Sequence, residues 1–504
     1  MDQDHLISGL DEVLATGEPE NEYVERIINE YGPPAFLNNK GRISKLGEPF
    51  WAALRAHETR TVFSPEENCF YRYNDKNGLY EKITHDALRT DFERRIFAAS
   101  KHWKAWADLS RFRSSGQISG IILHFRGQTE VADAFRSWQG WQPVIACANC
   151  VVRIDEQTGQ LVIEKFSPKF RLRHGCPYEF DPLAKCPKFE AAMFGHVEPD
   201  DREVLQKLGG QALLGRNICQ RIGILDGIGG SSKSEFVATL RGILGSHACA
   251  ELRTNHLQER FEIGAIASAS FLSGSDVPGD FLSRPGASVI KAMVGGDLLE
   301  CEAKGVNLRI RIRGNFNILV TANTILHILL EGDQEAWRRR IIRIHFTKPY
   351  AGVRIPEISK VLLAEEGSGI LNFFLEGAIK VLRDCRSYGD IQLSARQENL
   401  VDTMLAESDS IALYLSSAIR PVSYSDGAGV ATDEIKQGYL DFCRQRQWEP
   451  QIGDFGYRLP KLMAKLFGAS ECHNLERHVK KAVRGYRRVV FATDDGPTEE
   501  DWQN

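Results

Sequence analysis

Residues 222–234 read IGILDGIGGSSKS, and the rest of the chain is best interpreted outward from them. An apolar run, Ile222–Leu225, enters a small-residue loop, Asp226–Ser232. The loop hands over to Lys233 and Ser234 and then to a helical pattern across Glu235–Leu244. Strand, pliable loop, lysine, hydroxyl and helix, in that order, build a phosphate-binding loop. Backbone N–H groups and the helix N-terminus face phosphate oxygens, the lysine reaches the outer phosphates, and the hydroxyl ligates Mg²⁺. The expected ATP-binding residues are Gly227, Gly229, Gly230, Ser231, Ser232, Lys233 and Ser234. One position departs from G-x-x-x-x-G-K-[ST]: Ser232 stands where glycine should precede the lysine.

The chain has 504 residues, enough for about three domains. With 42% hydrophobic and 26% charged residues it has the composition of a globular protein. Its net charge of −4 means that any nucleic-acid surface must be a local patch. The acidic start MDQDHLISGLDEV lacks the apolar stretch of a signal peptide, and no run approaches the ~18 apolar residues of a membrane span. The expectation is a cytoplasmic protein with no membrane partner. Eleven scattered cysteines do not form a disulfide framework. Cys147 and Cys150, with His174, Cys176 and Cys186 downstream, allow a zinc site to be drawn. However, the CxxC falls in a strand-like run, Val144–Ile154, and lacks a matching second pair, so these cysteines read as small buried hydrophobes.

Residues 1–60 look helical and acidic, a hairpin is expected over 69–83, and helical periodicity follows at 90–107 and 127–138. Residues 1–190 together read as an α+β accessory domain, 191–385 as an α/β nucleotide-binding core, 386–405 as a polar linker, and 406–504 as a winged-helix domain.

Downstream of the loop, Ile266–Ser273 leads to Asp276, a carboxylate expected at the end of a strand neighbouring the loop strand, where a Mg²⁺-associated acid belongs. Then come Lys291-Ala-Met-Val-Gly-Gly-Asp297, the run Leu298–Ala303, a Lys304-Gly305 turn, and Leu308-Arg-Ile-Arg-Ile-Arg313. Strict alternation places Arg309, Arg311 and Arg313 on one face of a strand, suited to tracking a sugar-phosphate backbone. An apolar strand ends in Thr321-Ala322-Asn323, and Trp337-Arg338-Arg339-Arg340 precedes another, Ile341–Phe346. Each feature alone has a plainer reading: a capping aspartate, a solvated amphipathic strand, a turn-forming asparagine, a solvated basic run.

Taken in order, these motifs resemble a superfamily 3 helicase, of the type found as primase-helicases in poxviruses and satellite phages. The likeness continues upstream through Ala148-Asn149-Cys150-Val151, Phe166-Ser167-Pro168 and Asp181–Pro187. It spans residues of about 65–380 well and the C-terminal part more loosely. The fold so implied is an α/β multidomain chain with an AAA+ P-loop NTPase core, an α+β N-terminal domain and a C-terminal winged helix. The resemblance makes Lys233 the phosphate lysine, Ser234 and Asp276 the Mg²⁺ ligands, and Asp276 the Walker B acid. Asn323 becomes the sensor, Arg339 or Arg340 an arginine finger acting in trans, and Lys304 the hairpin lysine that grips single-stranded DNA. It implies a ring-shaped homo-oligomer, a hexamer in such relatives, moving 3′ to 5′ along one strand of forked DNA. A single acid at Walker B leaves the water-activating base open.

Helix Tyr457–Phe467 brings Arg458, Lys461 and Lys465 to or near one face, and Arg477, His478, Lys480, Lys481, Arg484, Arg487 and Arg488 follow within twelve residues. A helix, a turn and a basic wing together point to DNA binding. Only about 190 residues precede the core, without an Asp-x-Asp/Glu pair in a convincing strand. Priming is therefore expected from a separate primase or polymerase. The competing expectation is a nucleotide-binding replication initiator or scaffold whose loop has decayed at Ser232. A small-molecule kinase fits poorly, since it leaves the hairpin, Arg338–Arg340 and the basic C-terminal patch unexplained.

Overall fold

The computed structural model describes residues 21–104, 115–137, 139–253, 256, 262–283, 287–302, 309–328, 334–352, 355–422, 428–446, 450–475 and 482–492. It is a mixed α/β molecule with several sheets, the largest a five-stranded parallel sheet.

That sheet is built from β1 (Ile222–Gly227), β2 (Cys249–Glu251), β3 (Phe271–Gly274), β4 (Asn317–Thr321) and β5 (Ile341–Phe346), in the spatial order β2-β3-β4-β1-β5. All pairings are parallel. β1, β3, β4 and β5 are buried on both faces, which is why they read as largely apolar runs, whereas the edge strand β2 is partly exposed. One face, with Leu225, Phe271, Leu319, Ile342 and Ile344, packs on three helices: α1 (Pro199–Leu213), α2 (Lys233–Leu244) and α3 (Ile358–Tyr388). Glycines let α1 and α3 cross closely. A Cβ on Gly210 would sit 2.0 Å from Ala378 N, and one on Gly377 1.9 Å from Gln206 O. The other face, with Ile222, Ile224, Leu272, Ile318 and Val320, packs on helix Ala287–Gly295, the hairpin Leu298–Glu302/Arg309–Arg313, and α4 (Ala395–Ser408).

Helix α4 corrects an expectation. The segment 386–405 is not a polar linker: Ser394 and Gln397 form a capping box, and Val401, Met404 and Leu405 are buried in the sheet's core. The polar run Arg386–Arg396 before it hid the apolar stripe behind it.

Ahead of the sheet lies helix Asn21–Tyr31, then a small hairpin Ala35–Leu37/Ile43–Leu46 and helix Glu48–Glu58, so the expected all-helical start is interrupted by strands. Strands Thr61–Ser64, Cys69–Asn74 and Leu79–Ile83 form an antiparallel sheet that contains the expected hairpin. The helix expected at 127–138 lies earlier, at Ser115–Thr129, and turns follow it. The run 144–154 is two strands, Val144–Ala146 and Val151–Ile154, and the CxxC forms the turn between them, with Cys147 N donating to Cys150 O at 2.8 Å. Cys147, Cys176 and Cys186 are buried in an apolar core, where burial pushes the thiols of Cys176 and Cys186 up to about 12.

The C-terminal part has its own core of Ile411, Leu415, Ile435, Tyr439, Phe455, Leu459, Met463 and Tyr486. Helices Ser410–Ala418, Thr432–Gln445 and Ile452–Phe467 pack against a sheet of Gly429–Ala431, Val483–Arg487 and Glu471–Leu475. A separate pair joins Ile419–Pro421 to Val489–Phe491.

Candidate functional site

The loop after β1 is shaped by left-handed residues. Gly227 has φ +118°, and a Cβ there would lie 2.2 Å from Phe346 O, so only glycine fits. Gly230 follows at φ +75° and Ser232 at φ +63°. Ser232 thus takes a conformation that costs an L-residue about 1–2 kcal/mol and suits the glycine that the motif wants. Lys233 opens α2, is buried, and folds back over the loop. Its Nζ donates to Gly227 O (2.9 Å), Ile228 O (2.6 Å) and Ser231 Oγ (3.1 Å). Burial lowers the lysine's pKa, and the carboxylates of Asp226 and Asp276 oppose that shift. Gly229, Gly230 and the Ser234 hydroxyl-bearing residue are exposed at the loop and the helix's first turn.

Two other strand ends reach the same edge. After β3, Asp276 adopts φ +48° and its N–H donates to Thr321 Oγ1 at 3.1 Å. Asn323, just past β4, donates from Nδ2 to Asp276 Oδ1 at 3.2 Å. The strand order corrects one detail: β3 does not neighbour β1, because β4 lies between them. Asp276 is therefore positioned through the Thr321–Asn323 segment, while its field still reaches Lys233. Lys233, Ser234, Asp276 and Asn323 lie together at the carboxyl ends of parallel strands, where open α/β sheets bind ligands.

Arg339 and Arg340 lie elsewhere. β5 runs in register with β1 from Ile341 opposite Ile222 to Phe346 opposite Gly227, so the two arginines sit at the sheet's amino edge. A strand length of about 20 Å separates them from their own loop. Arg339 is exposed, whereas Arg340 is half-buried with Nη1 donating to Ala336 O at 3.2 Å. Their neighbour Arg338 is forked onto Asp402 at 2.6 and 3.0 Å.

The basic hairpin pairs as expected, with Leu299 and Ile312 buried beneath it. Arg311 is exposed beside Glu300 at 3.0 Å, and Arg313 donates to Gly296 O at 3.2 Å. Lys304 lies outside the described residues, as do the side chain of Arg309 and the wing residues Arg477, His478, Lys480 and Lys481. The C-terminal arginines are more engaged than their spacing suggests. Arg484 forks onto Glu471 (2.7 Å twice), and Arg487 donates to Asn474 O and Oδ1 (3.1 Å each). Arg458 turns inward to Asp409 at 2.6 Å and leaves the exposed helix face. Tyr457, Lys461 and Lys465 remain on that face, with Lys461 Nζ 3.7 Å from the Tyr457 ring centre. Arg488 is exposed at φ +63°.

Sequence reading passed over the residues that brace the loop. Asp226, fully buried, accepts from Arg343 Nε at 2.7 Å and pairs with His345 Nδ1 at 2.6 Å, tying β1 to β5. Tyr350 N donates to Gly230 O at 2.9 Å, and His196 Nε2 meets Ser231 O at 3.0 Å. A signal was present: an aspartate inside ILDG and an arginine inside IIRI must be paired if those runs are buried strands.

Residues 66–193 match the family model described as D5 N terminal like. No curated protein matches the chain. Among solved structures it is similar to the A form apo structure of the NrS-1 C-terminal region, with TM-score 0.44 and 12% identity, over 87% of this chain and 98% of that one. A second apo structure of the NrS-1 C-terminal region (305-718) gives TM-score 0.44 and 12% identity, over 87% and 99%.

Proposed function

We propose that the chain is an ATP-dependent DNA helicase that translocates on single-stranded DNA during replication of a phage, plasmid or other mobile element. The observation that carries this reading is the meeting of Lys233 and the hydrogen-bonded pair Asp276–Asn323 at one edge of a parallel sheet. The D5 N terminal like match over residues 66–193 supports a replication role. On this reading residues 191–385 are a superfamily 3 AAA+ core and residues 1–190 an accessory domain. Residues 406–504 are read as a winged helix, a reading supported by the order helix, two strands, two helices and three strands among the described residues.

ATP is the substrate. Its phosphates take the place of the loop carbonyls now held by Lys233, and face the N–H groups that the left-handed turns at Gly227, Gly230 and Ser232 direct into the loop. Mg²⁺ fits the hard oxygen donors that lie near the lysine, the Ser234 hydroxyl and the Asp276 carboxylate, and when bound it neutralises phosphate charge. Asn323 orients water against the outer phosphate and holds Asp276 in place. Arg339 or Arg340 serves a neighbouring subunit's nucleotide, which requires a ring, proposed as a hexamer. Lys304, Arg309 and Arg311 track the DNA backbone inside it, while Lys480, Lys481, Arg484, Arg487 and Arg488 form the wing's basic surface. Among the described residues no helix is long and apolar enough to cross a membrane.

A second reading, a weakly hydrolysing initiator or scaffold that binds DNA, is favoured by the strained φ of Ser232. Steady-state ATP hydrolysis with and without single-stranded DNA separates the two. DNA-stimulated turnover in wild type that Lys233→Ala abolishes supports the motor. Turnover at the Lys233→Ala level, gained only in Ser232→Gly, rejects it in favour of the initiator.

A further inference from the structure

At the amino edge of the sheet, away from the strand-end site, the described residues line a partly open cavity of about 500 Å³. It lies where residues 134–137, 139–142 and 169–176 meet the end of α1 and the residues leading into β3 and β4. Small-molecule sites commonly occupy about 300–1,000 Å³. Arg136, Lys169, Arg171, Arg173 and Arg216 line it, and no carboxylate does among the described residues. Glu67 and Glu164 pair with Arg173 (2.5 Å) and Lys169 (3.1 Å) from outside the lining.

The walls are built from buried groups. Arg136 is 9% exposed and donates to Arg313 O (3.0 Å), Asn315 Oδ1 (2.8 Å), Ala267 O (2.5 Å) and Ala269 O (3.1 Å). Its Nε has no partner, and neither has Ser270 Oγ, another buried lining atom. Native folds leave few such atoms unmatched. Arg216, 7% exposed, stacks over Trp141 with its guanidinium 5.4 Å from the ring centre. Burial pushes both Arg136 and Arg216 down to about 10, so both stay charged at neutral pH. His174 is held neutral by burial and by the charge of Arg173, with Nε2 on Ser268 O at 2.8 Å. Glu67 meets Arg173 from outside the lining and its charge also reaches Arg136, while the lining itself carries only cationic charged groups among the described residues.

We propose that this cavity is a second anion site, for a phosphate-bearing ligand of nucleotide size. Arginine forks match phosphate oxygens in pairs. Trp141 gives a base an aromatic wall, which favours a nucleoside phosphate over inorganic phosphate.

The test uses full-length Lys233→Ala protein, so that the loop after β1 contributes as little as possible, and photolabels it with 8-azido-ATP before peptide mapping. The expected label falls in peptides containing 134–142 or 169–176, is displaced by excess ATP and by pyrophosphate, and drops severalfold in Arg171→Gln. Arg171 is exposed, so that variant should keep the parent's melting curve. Trp141→Ala, which removes the ring that Arg216 stacks over but keeps every cationic side chain, should weaken ATP more than pyrophosphate as a competitor. Label confined to other peptides overturns the proposal. So does label that adenosine displaces and pyrophosphate does not, because the guanidiniums would then play no part. Neither result bears on ATP hydrolysis by the wild-type chain.

Discussion

The two edges of the parallel sheet are built from the same five strands and differ in kind. At the carboxyl edge the chemical groups hold one another: Lys233 is folded onto its loop, Asn323 onto Asp276, and Asp226 onto Arg343 and His345. At the amino edge Arg339 is exposed, a strand length of about 20 Å from its own chain's loop. On the proposed function the carboxyl edge would hold the nucleotide, and the arginines at the amino edge would act in phosphoryl transfer only if another copy of the chain brings its own carboxyl edge to them.

The sharpest way to break that contrast is to disable each edge separately and then mix. Lys233→Ala and Arg339→Ala should each lower ATP hydrolysis by about 10³-fold or more, the range seen when an arginine finger is lost. Equal amounts of the two inactive proteins should recover part of the rate, since mixed rings contain junctions with an intact loop facing an intact arginine. If the mixture stays inactive while size-exclusion profiles show mixed assembly, Arg339 does not act across a junction. Arg340 is then tested in the same way.

The next effect is on stability. Asp226→Asn removes the charge that pairs with buried Arg343, which costs about 3–5 kcal/mol when a buried cation is left without its partner. The apparent melting temperature should fall by several degrees. The double variant Asp226→Leu/Arg343→Met should recover much of the loss. Equal melting of wild type and Asp226→Asn would show that the buried pair does not brace the carboxyl edge.

Ser232→Gly gives a smaller, opposite effect. It removes a left-handed serine worth about 1–2 kcal/mol of strain, and glycine's greater freedom in the unfolded chain offsets part of the gain. Stability should change by less than about 1 kcal/mol, while turnover rises severalfold. An unchanged turnover number would mean that the serine Cβ does not crowd the phosphates.

The carboxyl edge was legible in the sequence because its parts are local. A lysine after a small-residue loop, an acid after one strand and an asparagine after another each sit within a few residues of the strand that places them. Strand order was not legible, since β4 inserts between β1 and β3 through long-range pairings, Ile318 opposite Ile222 and Asn317 opposite Phe271. The bracing ion pairs were missed for the same reason, Asp226 and Arg343 being far apart in the chain. Alternation revealed the basic hairpin, because burial of Leu299 and Ile312 imposes period two. The CxxC was misplaced because valines and isoleucines on both sides of a tight turn look like one strand.

The C-terminal basic surface sets the finest test of the same distinction between engaged and available groups. Arg484 is forked onto Glu471, so neutralising it exchanges one internal partner for water and removes little from a DNA encounter. Lys461, on the exposed helix face beside Tyr457, makes no ion pair with a carboxylate among the described residues. Each lysine–phosphate contact steepens the dependence of log affinity on log salt by about 0.9. Lys461→Ala should therefore lower the slope for duplex DNA by about one, and Arg484→Ala by much less. Glu471→Ala should steepen it by freeing the Arg484 fork. A larger loss from Arg484→Ala than from Lys461→Ala would place the contact on the wing and make the Glu471 pair a latch that opens on DNA.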